Sequence, residues 1–359
     1  MSNDSPAPAP APSRSESAGR AAQAGLWTSL AALRFVLAVI AISNHQRWFF
    51  PDSAVVQFIA AFGGYLALMG FFIISGFSIR NSLERDSDTT AFWVRRFVRI
   101  YPAYLVAVLL THALNVALAP GYQLPNFRLG STGWLTSLGN ALMLQGVAVV
   151  PMPFNPALWS LGPEAVYYAI APLALLLPRR LALGLSLISL GVFCLPMAGI
   201  QLKFLPGLEA LRHIWAWFLG FYFKEYSERG WGWGLLALAL GLVCIHPVCS
   251  EDKLSVVTAL AIFLVMRLAS GWQFSPGATR FCTYLGDLSY PMFLLHVPVM
   301  TVCWVYLGWR SLGALVLGIL AAAAVVHHVV EHWFARAWLQ PNLLRWVGRS
   351  PQQRSTALH

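Results

Sequence analysis

The feature that most restricts the fold of this chain is a series of long apolar runs, each roughly 17–25 residues in length. They lie at about 27–45, 55–79, 100–119, 158–177, 181–199, 207–223, 231–248, 254–270, 285–306 and 311–333. About 20 apolar residues in a helix span the hydrocarbon core of a bilayer, which is about 30 Å thick. Because unpaired backbone groups are too costly in lipid, only helices suit such runs. The runs predict an all-α, polytopic integral membrane helix bundle of about ten transmembrane helices.

Composition supports this fold class and excludes two others. The 359 residues are 58% hydrophobic and only 11% charged, whereas a soluble domain has about 25% charged residues. This is too few charges for the surface of a soluble enzyme, and too much apolar content for a disordered chain. The net charge of +10 comes from basic residues scattered through short loops. We therefore expect the lipid bilayer as a partner and no nucleic acid.

The distribution of basic residues predicts the orientation. The run 134–150 is short, and Gly and Pro follow it closely. If it does not span and the N-terminus is cytoplasmic, 17 of the 24 Lys and Arg residues face the cytoplasm and 5 face outward. If it spans, this asymmetry largely disappears. The positive-inside rule thus predicts that both termini are cytoplasmic and that 120–157 is an outer loop with an interfacial or re-entrant piece.

Three segments follow from this organisation. Residues 1–25 are rich in Ala, Pro and Ser and are predicted to be a disordered N-terminal tail. Residues 26–335 form the predicted transmembrane domain, and residues 336–359 form a cytoplasmic C-terminal tail. Function is then sought in the polar residues inside the apolar runs, because ionisable groups in a bilayer are costly and usually face a cavity or a partner.

Arg34 and His45 lie in the first apolar run, eleven residues apart. In an α-helix this spacing places them about 20° apart in direction and about 16–17 Å apart along one face. An imidazole near the outer end of the helix is suited to general-base catalysis. The alternative is a structural histidine at the interface together with an arginine that snorkels.

A second group of candidates follows the next apolar run. Arg95, Arg96 and Arg99 form a basic cluster, in which Arg96 and Arg99 share a helix face. Guanidinium groups match phosphate oxygens, so the cluster is suited to a phosphorylated ligand; the alternative is a topology anchor or a lipid-headgroup contact. Ser75 belongs to the segment 71–77, whose Gly and Ser residues also suit close helix packing.

The remaining candidates lie further along the chain. Trp159, Ser160 and Glu164 open the fourth run, where Glu164 would either orient an imidazole, bind a hydroxyl group or form a structural ion pair. His296 precedes Pro298 and either lines a cavity or satisfies a backbone carbonyl freed by the proline. The segment from His328 to His332 matches HxxEH, a pattern of zinc proteases. Because this match is weak and structural pairing is an equally simple explanation, we expect no metal.

The ordered set of motifs resembles the acyltransferase-3 family of bacterial integral-membrane acyltransferases over about residues 27–335. The resemblance rests on Arg34 with His45, FFIISGF, RRFVRIYP, LWSLGPEAVYY, LGDLSYPMFLLHVPV and the terminal Glu331. It implies catalytic roles for His45, Glu164 and Arg34. It also implies donor binding by Arg95, Arg96, Arg99 and Ser75, and substrate binding by Trp159, Ser160 and His296.

The resemblance implies a multi-pass enzyme of the bacterial cytoplasmic membrane. It would transfer an acyl group, acetyl above all, from acyl-CoA to a glycan, a lipid-linked sugar or a small hydroxylated acceptor, without a metal. His45 would act as general base or as transient acyl carrier. The alternative is a transporter or flippase for an anionic solute or a lipid-linked sugar, in which the same Arg, His and Glu residues would line a pathway.

Overall fold

The structure is a computed structural model of the chain, and it describes residues 14–85, 88–118, 122–128, 133–198, 200, 205–245 and 250–347. Residues 1–13 of the predicted N-terminal tail and residues 348–359 of the predicted C-terminal tail lie outside this part. The first helix begins at Arg14, within the segment predicted as a tail. The last helix extends to Trp346, well into the predicted C-terminal tail.

The described residues confirm the all-helical class. The α-helices are α1 (Arg14–Gln46), α2 (Ala54–Ala60), α3 (Gly64–Arg85), α4 (Thr89–Ala117), α5 (Trp134–Ala141), α6 (Leu161–Leu176), α7 (Arg179–Cys194), α8 (Leu208–Phe221), α9 (Phe223–Glu228), α10 (Trp231–Ile245), α11 (Ser250–Leu268), α12 (Pro276–Val305), α13 (Leu312–Val325) and α14 (Gln340–Trp346). A π-helix, Val326–Leu339, joins α13 to α14. Short 3₁₀ turns lie at Pro156–Ser160, Leu195–Ala198 and Ala269–Gly271, and β1 (Gln123–Leu124) pairs antiparallel with β2 (Phe127–Arg128).

Five described helices are long and apolar enough to cross a membrane. They are Gln23–Gln46 in α1, Gly64–Arg85, Thr89–Ala117, Pro276–Val305, and the continuous helix Leu312–Trp346. The other apolar runs coincide with α6, α7, α8, α10 and α11, which have 14–19 residues each. The predicted total of about ten spans is therefore not confirmed, and the orientation of the termini stays a prediction.

The run 134–150 forms only a short helix. α5 has 8 residues, a length of about 12 Å, which is far less than the hydrocarbon thickness. The chain then turns through Met143 and Gly146, both of which have positive φ. A single spanning helix is thus absent from this described segment, in agreement with the prediction that 134–150 does not span.

Local chemistry explains where several long helices begin. The side chain of Asp88 accepts hydrogen bonds from the backbone N–H groups of Thr90 and Ala91, so it caps α4. Ser275 caps α12 in the same way, and Pro276 occupies its first turn, where no N–H is needed. α12 continues as one helix through Pro291 and Pro298.

Two helix pairs make the central packing: α3 against α8, and α1 against α12. The backbones of α3 and α8 approach closely because both carry a glycine at the crossing. A Cβ atom on Gly76 would lie 2.1 Å from the carbonyl oxygen of Trp217, and one on Gly220 would lie 1.9 Å from that of Ile73. Small residues permit such approaches between membrane helices. Gly76 therefore serves helix packing, which is the structural explanation offered above for the segment 71–77.

The crossing predicts a specific sensitivity to added volume. Gly76→Ala places a methyl group inside the α8 backbone, so we expect a loss of about 3 kcal/mol or more in the free energy of unfolding. Thermal melting of the detergent-purified protein would measure it. Gly184→Ala is the matched control, because a Cβ there meets no atom within 4 Å in the described structure. Equal melting temperatures for the two variants would contradict the close crossing.

Candidate active site

A cavity lined by four arginines and three carboxyl groups lies between α1, α3, α4, α6, α12 and the π-helix. We call it the arginine cavity. Its charged lining residues are Arg34, Arg96, Arg99, Arg336, Glu164, Asp287 and Glu331, and its polar ones include Ser75, Ser160, Tyr168 and Tyr290. The empty space between its lining residues is about 960 Å³, which includes open solvent. The surplus of cationic groups favours an anionic ligand.

Glu164 is held by two hydroxyl groups inside the arginine cavity. Ser75 Oγ donates to Glu164 Oε1 over 2.8 Å, and the hydroxyl of Tyr168 donates to the same oxygen. Two donors on one oxygen orient the carboxyl group, and Tyr168 lies one helical turn after Glu164 on α6. The guanidinium of Arg96 lies over the Tyr168 ring, 5.9 Å from its centroid. These contacts make one connected polar cluster of α3, α4 and α6.

Arg34 projects into the same cavity from α1. Its Nε atom is buried and has no hydrogen-bond partner among the described residues. It interacts electrostatically with Asp287 and with the like charges of Arg96 and Arg99. A buried guanidinium nitrogen without an acceptor is costly, and a ligand oxygen in the cavity would remove that cost.

The π-helix adds two charged groups to the cavity. Glu331 and Arg336 both line it, although residues five apart in an α-helix point about 140° away from each other. In a π-helix, i→i+5 hydrogen bonding brings such residues to one side. Glu331 Oε2 lies 3.0 Å from His327 Nδ1, while His328 Nε2 lies 3.4 Å from the Tyr284 hydroxyl. Glu331 is therefore paired with a histidine outside the HxxEH pattern.

A second cavity surrounds His45, and we call it the histidine cavity. Its lining residues are Ala41, Asn44, His45, Gly64, Tyr65, Leu68, Pro156, Ala157, Trp159 and Phe293. The rings of Tyr65 and Trp159 lie with their centroids 5.7 Å apart. Asn44 Oδ1 accepts a hydrogen bond from the Arg47 guanidinium, which orients the Asn44 amide. The cavity thus combines aromatic surfaces with few polar groups, as small-molecule sites do.

His296 contacts His45 directly, across 251 residues of sequence. His296 Nε2 lies 3.0 Å from His45 Nδ1, and His296 Nδ1 lies 2.8 Å from the carbonyl oxygen of Phe293. A carbonyl only accepts, so in neutral His296 the proton is on Nδ1 and Nε2 is the acceptor. His45 must then donate from Nδ1, which leaves the lone pair on its Nε2. This hydrogen-bond chain assigns the tautomer of His45.

The structure separates the predicted site residues into these two cavities. Arg34, Ser75, Arg96, Arg99, Ser160 and Glu164 line the arginine cavity, whereas His45 and Trp159 line the histidine cavity. Of the roles predicted for Glu164, orientation of an imidazole would need contact with His45, and the two residues line different cavities. The 3₁₀ turn Pro156–Ser160 directs Trp159 to one cavity, and the first turn of α6 carries Glu164 to the other. Arg95 is not among the described residues that line either cavity, and the sequence-based roles of all these residues stay predictions.

Sequence reasoning missed several residues of the arginine cavity. Tyr168, Asp287 and Tyr290 lie inside segments that had been singled out, so proximity to a motif was the available signal. Arg336 had been counted only as a cytoplasmic charge. Its place in the cavity depends on the π-helix, which the apolar pattern of the last span does not reveal.

The sequence of the chain matches a known family of acyltransferases. The family model described as an acyltransferase domain of the acyltransferase-3 type matches residues 27–327. The chain is 28% identical to acyltransferase MdmB of Streptomyces mycarofaciens in an alignment of length 362. This alignment covers 85% of this chain and 90% of that protein. It is 26% identical to peptidoglycan O-acetyltransferase OatA of Listeria monocytogenes over 193 residues, 49% of this chain and 29% of that protein. No solved structure gives a significant match.

The arginine cavity predicts binding of a phosphorylated anion that depends on Arg336. Pyrophosphate should raise the melting temperature of the purified protein, because a ligand of the folded state stabilises it. In Arg336→Gln, the loss of one charge-assisted contact should weaken binding about tenfold or more. Arg345→Gln is the control, since Arg345 is exposed on α14 and donates to Pro341 and Asn342. An equal pyrophosphate effect in both variants would place Arg336 outside the binding site.

Proposed function

Because the chain belongs to the acyltransferase-3 family, we propose that it is a membrane-bound O-acyltransferase that moves an acyl group from acyl-CoA to a hydroxyl group. Acetyl is the acyl group we assign first, and the acceptor is a glycan or another hydroxylated molecule. The observation that carries the proposal is the position of His45. His45 lines a cavity that shares Leu68 and Phe293 with a second cavity rich in arginine, and its contact with His296 leaves the lone pair on Nε2.

The arginine cavity is the proposed donor site. The phosphates of coenzyme A would lie against Arg96 and Arg99, with Arg336 on the facing π-helix, because guanidinium groups bind phosphate oxygens in pairs. The predicted orientation places these residues at the cytoplasmic side, where acyl-CoA is available. Arg34 lies deeper, about 16–17 Å along α1 from His45. This span suits a long donor whose thioester end must reach towards His45.

The histidine cavity is the proposed acceptor site. Tyr65 and Trp159 supply aromatic surface, and Asn44 supplies an amide beside His45. One relative is a peptidoglycan O-acetyltransferase, which supports a glycan acceptor for this chain. A lipid-linked sugar or a small hydroxylated molecule has the same reacting group, and the cavity chemistry fits each of them.

The proposed reaction needs one proton acceptor that becomes a proton donor. His45 Nε2 takes the proton of the acceptor hydroxyl while the hydroxyl oxygen attacks the carbonyl carbon of the thioester. The tetrahedral intermediate then collapses, the carbon–sulfur bond breaks, and the thiolate of coenzyme A receives that proton from the imidazolium. If His45 Nε2 is itself acylated first, the acyl group passes to the acceptor in a second step with the same products.

Two other residues have supporting roles in this proposal. Arg34 stabilises negative charge on the donor as it enters the site, because its unpaired Nε is buried in an apolar bundle. Glu164 is a positioning residue for the donor. Held by Ser75 and Tyr168, it balances the charge of Arg34, Arg96 and Arg99 and keeps their side chains apart.

The transporter alternative is not favoured by the family. The two functions also differ in what they need: a transferase forms product in detergent without any gradient, and a transporter requires a membrane with two sides. A transfer assay with purified protein therefore separates them directly.

The central prediction is transfer of labelled acetyl from acetyl-CoA to a peptidoglycan-derived saccharide by the detergent-purified protein. His45→Ala should lower the rate about 10²–10⁴-fold, the usual contribution of a general base. His328→Ala should not, because His328 is exposed and lines neither cavity among the described residues. A wild-type rate in His45→Ala would remove His45 from the mechanism, and absence of transfer to any hydroxylated acceptor by the wild-type protein would count against the proposed function.

A second prediction concerns the tautomer of His45. His296→Leu removes the side-chain acceptor for His45 Nδ1–H, while the backbone hydrogen bond between His45 and Ala41 remains, so we expect kcat to fall about 10–100-fold with little change in the donor KM. His296→Gln places an amide oxygen where His296 Nε2 accepts, and it should recover a large part of that loss. Equal rates for the Leu and Gln variants, with equal melting temperatures, would show that hydrogen-bond acceptance at this position does not matter.

A further inference from the structure

The two cavities have a common wall, and it consists of two side chains. Leu68 and Phe293 line both the arginine cavity and the histidine cavity. Each is buried, with 7% of its surface exposed. We infer that the acyl group passes between Leu68 and Phe293 on its way from the donor site to the acceptor site. By narrowing this route, the two side chains limit the length of the acyl chain that this protein transfers. This inference rests on the proposed acyltransferase function and adds its acyl-chain specificity.

The position of the wall follows from α12. Along this helix, Asp287 and Tyr290 face the arginine cavity, Phe293 lies at the boundary, and His296 contacts His45. Consecutive members of this series are three residues apart and are neighbours on the helix surface, and the whole series winds through about 180° around α12 from Asp287 to His296. Phe293 is about 4.5 Å from the level of His296 and about 9 Å from that of Asp287. The wall is thus next to the proposed base and remote from the charged end of the donor cavity.

α3 supplies the other half of the wall, and its residues also pass from the arginine cavity through the boundary to the histidine cavity. Ser75 contacts Glu164 in the arginine cavity, Leu68 lies at the boundary, and Tyr65 lines the histidine cavity. On both helices, polar residues of the proposed donor site lie on one side of the apolar layer, and residues of the proposed acceptor site lie on the other side. A thioester reaching from one cavity to the other must place its acyl group in this layer.

Phe293 is restrained on several sides. Its ring centroid lies 5.7 Å from that of Phe71 and 6.0 Å from that of His296. Its carbonyl oxygen accepts the hydrogen bond from His296 Nδ1. Because the backbone and the ring are both held, the gap beside Leu68 has a set width. A short acyl group fits beside two bulky side chains, whereas each added methylene needs space that they occupy.

The test compares acetyl-CoA with butyryl-CoA and octanoyl-CoA as donors for the wild-type protein, Leu68→Ala and Phe293→Ala. We expect the wild type to prefer acetyl-CoA. Each Ala variant should raise the ratio of butyryl to acetyl transfer at least about tenfold, since one methylene in an apolar pocket is worth about 10-fold or more in discrimination. Leu161→Ala is the matched control: it removes the same atoms from a buried leucine, 3% exposed, that lines only the arginine cavity among the two described sites.

The outcomes separate this inference from the proposed function. If the wild type transfers octanoyl as well as acetyl, or if the Leu68 and Phe293 variants keep the donor ratio of Leu161→Ala, the inference is wrong while the acyltransferase function stands. If both variants melt like the wild type but lose transfer from every donor, the two residues serve transfer itself and do not select chain length. If the wild type uses no acyl-CoA of any length, the proposal that acyl-CoA is the donor is wrong, and the inference about chain length is overturned with it.

Discussion

The clustering of charged groups around one cavity in an apolar bundle is the constraint on which the rest of this structure depends. Four guanidinium groups and three carboxyl groups share one cavity, and such groups are tolerated within a membrane protein only where they face a cavity or one another. The hydroxyl groups of Ser75 and Tyr168 hold Glu164, and His327 holds Glu331. Glu164 and Glu331 thereby have partners within the protein, whereas Arg34 keeps a buried nitrogen without a described acceptor. The excess positive charge is therefore directed at a ligand.

Features of the site that depend on the spacing of residues within a single helix could be predicted from the sequence. The spacing of Arg34 and His45 correctly indicated two positions far apart along α1, and the i,i+3 pair Arg96 and Arg99 does reach one cavity. The all-helical class followed from the apolar runs. The number of spans is not confirmed, because runs of similar length in the sequence become helices of 14 residues in one case and 30 in another. Turns and 3₁₀ segments shorten several of them.

Contacts between distant helices, and departures from α-helical winding, were beyond sequence reasoning. The pairing of His45 with His296 joins α1 to α12, and no local pattern shows which histidine faces which. The sequence did not show which cavity Glu164 lines, because a short 3₁₀ turn precedes its helix. Arg336 was overlooked because five-residue spacing means opposite sides in an α-helix and one side in a π-helix. In each case, the missing information is geometric and not compositional.

The two histidines and the apolar wall suggest why the site is divided into two cavities. His45 needs a neighbour that accepts from its Nδ1 so that Nε2 is free, and His296 does so because Phe293 occupies its other nitrogen. The same Phe293 closes the boundary with Leu68. One residue thus links the tautomer of the proposed base to the apolar layer between the two cavities. In the proposed reaction, an apolar layer at this position would limit access of water from the charged cavity to the thioester carbon and favour attack by the acceptor hydroxyl beside His45.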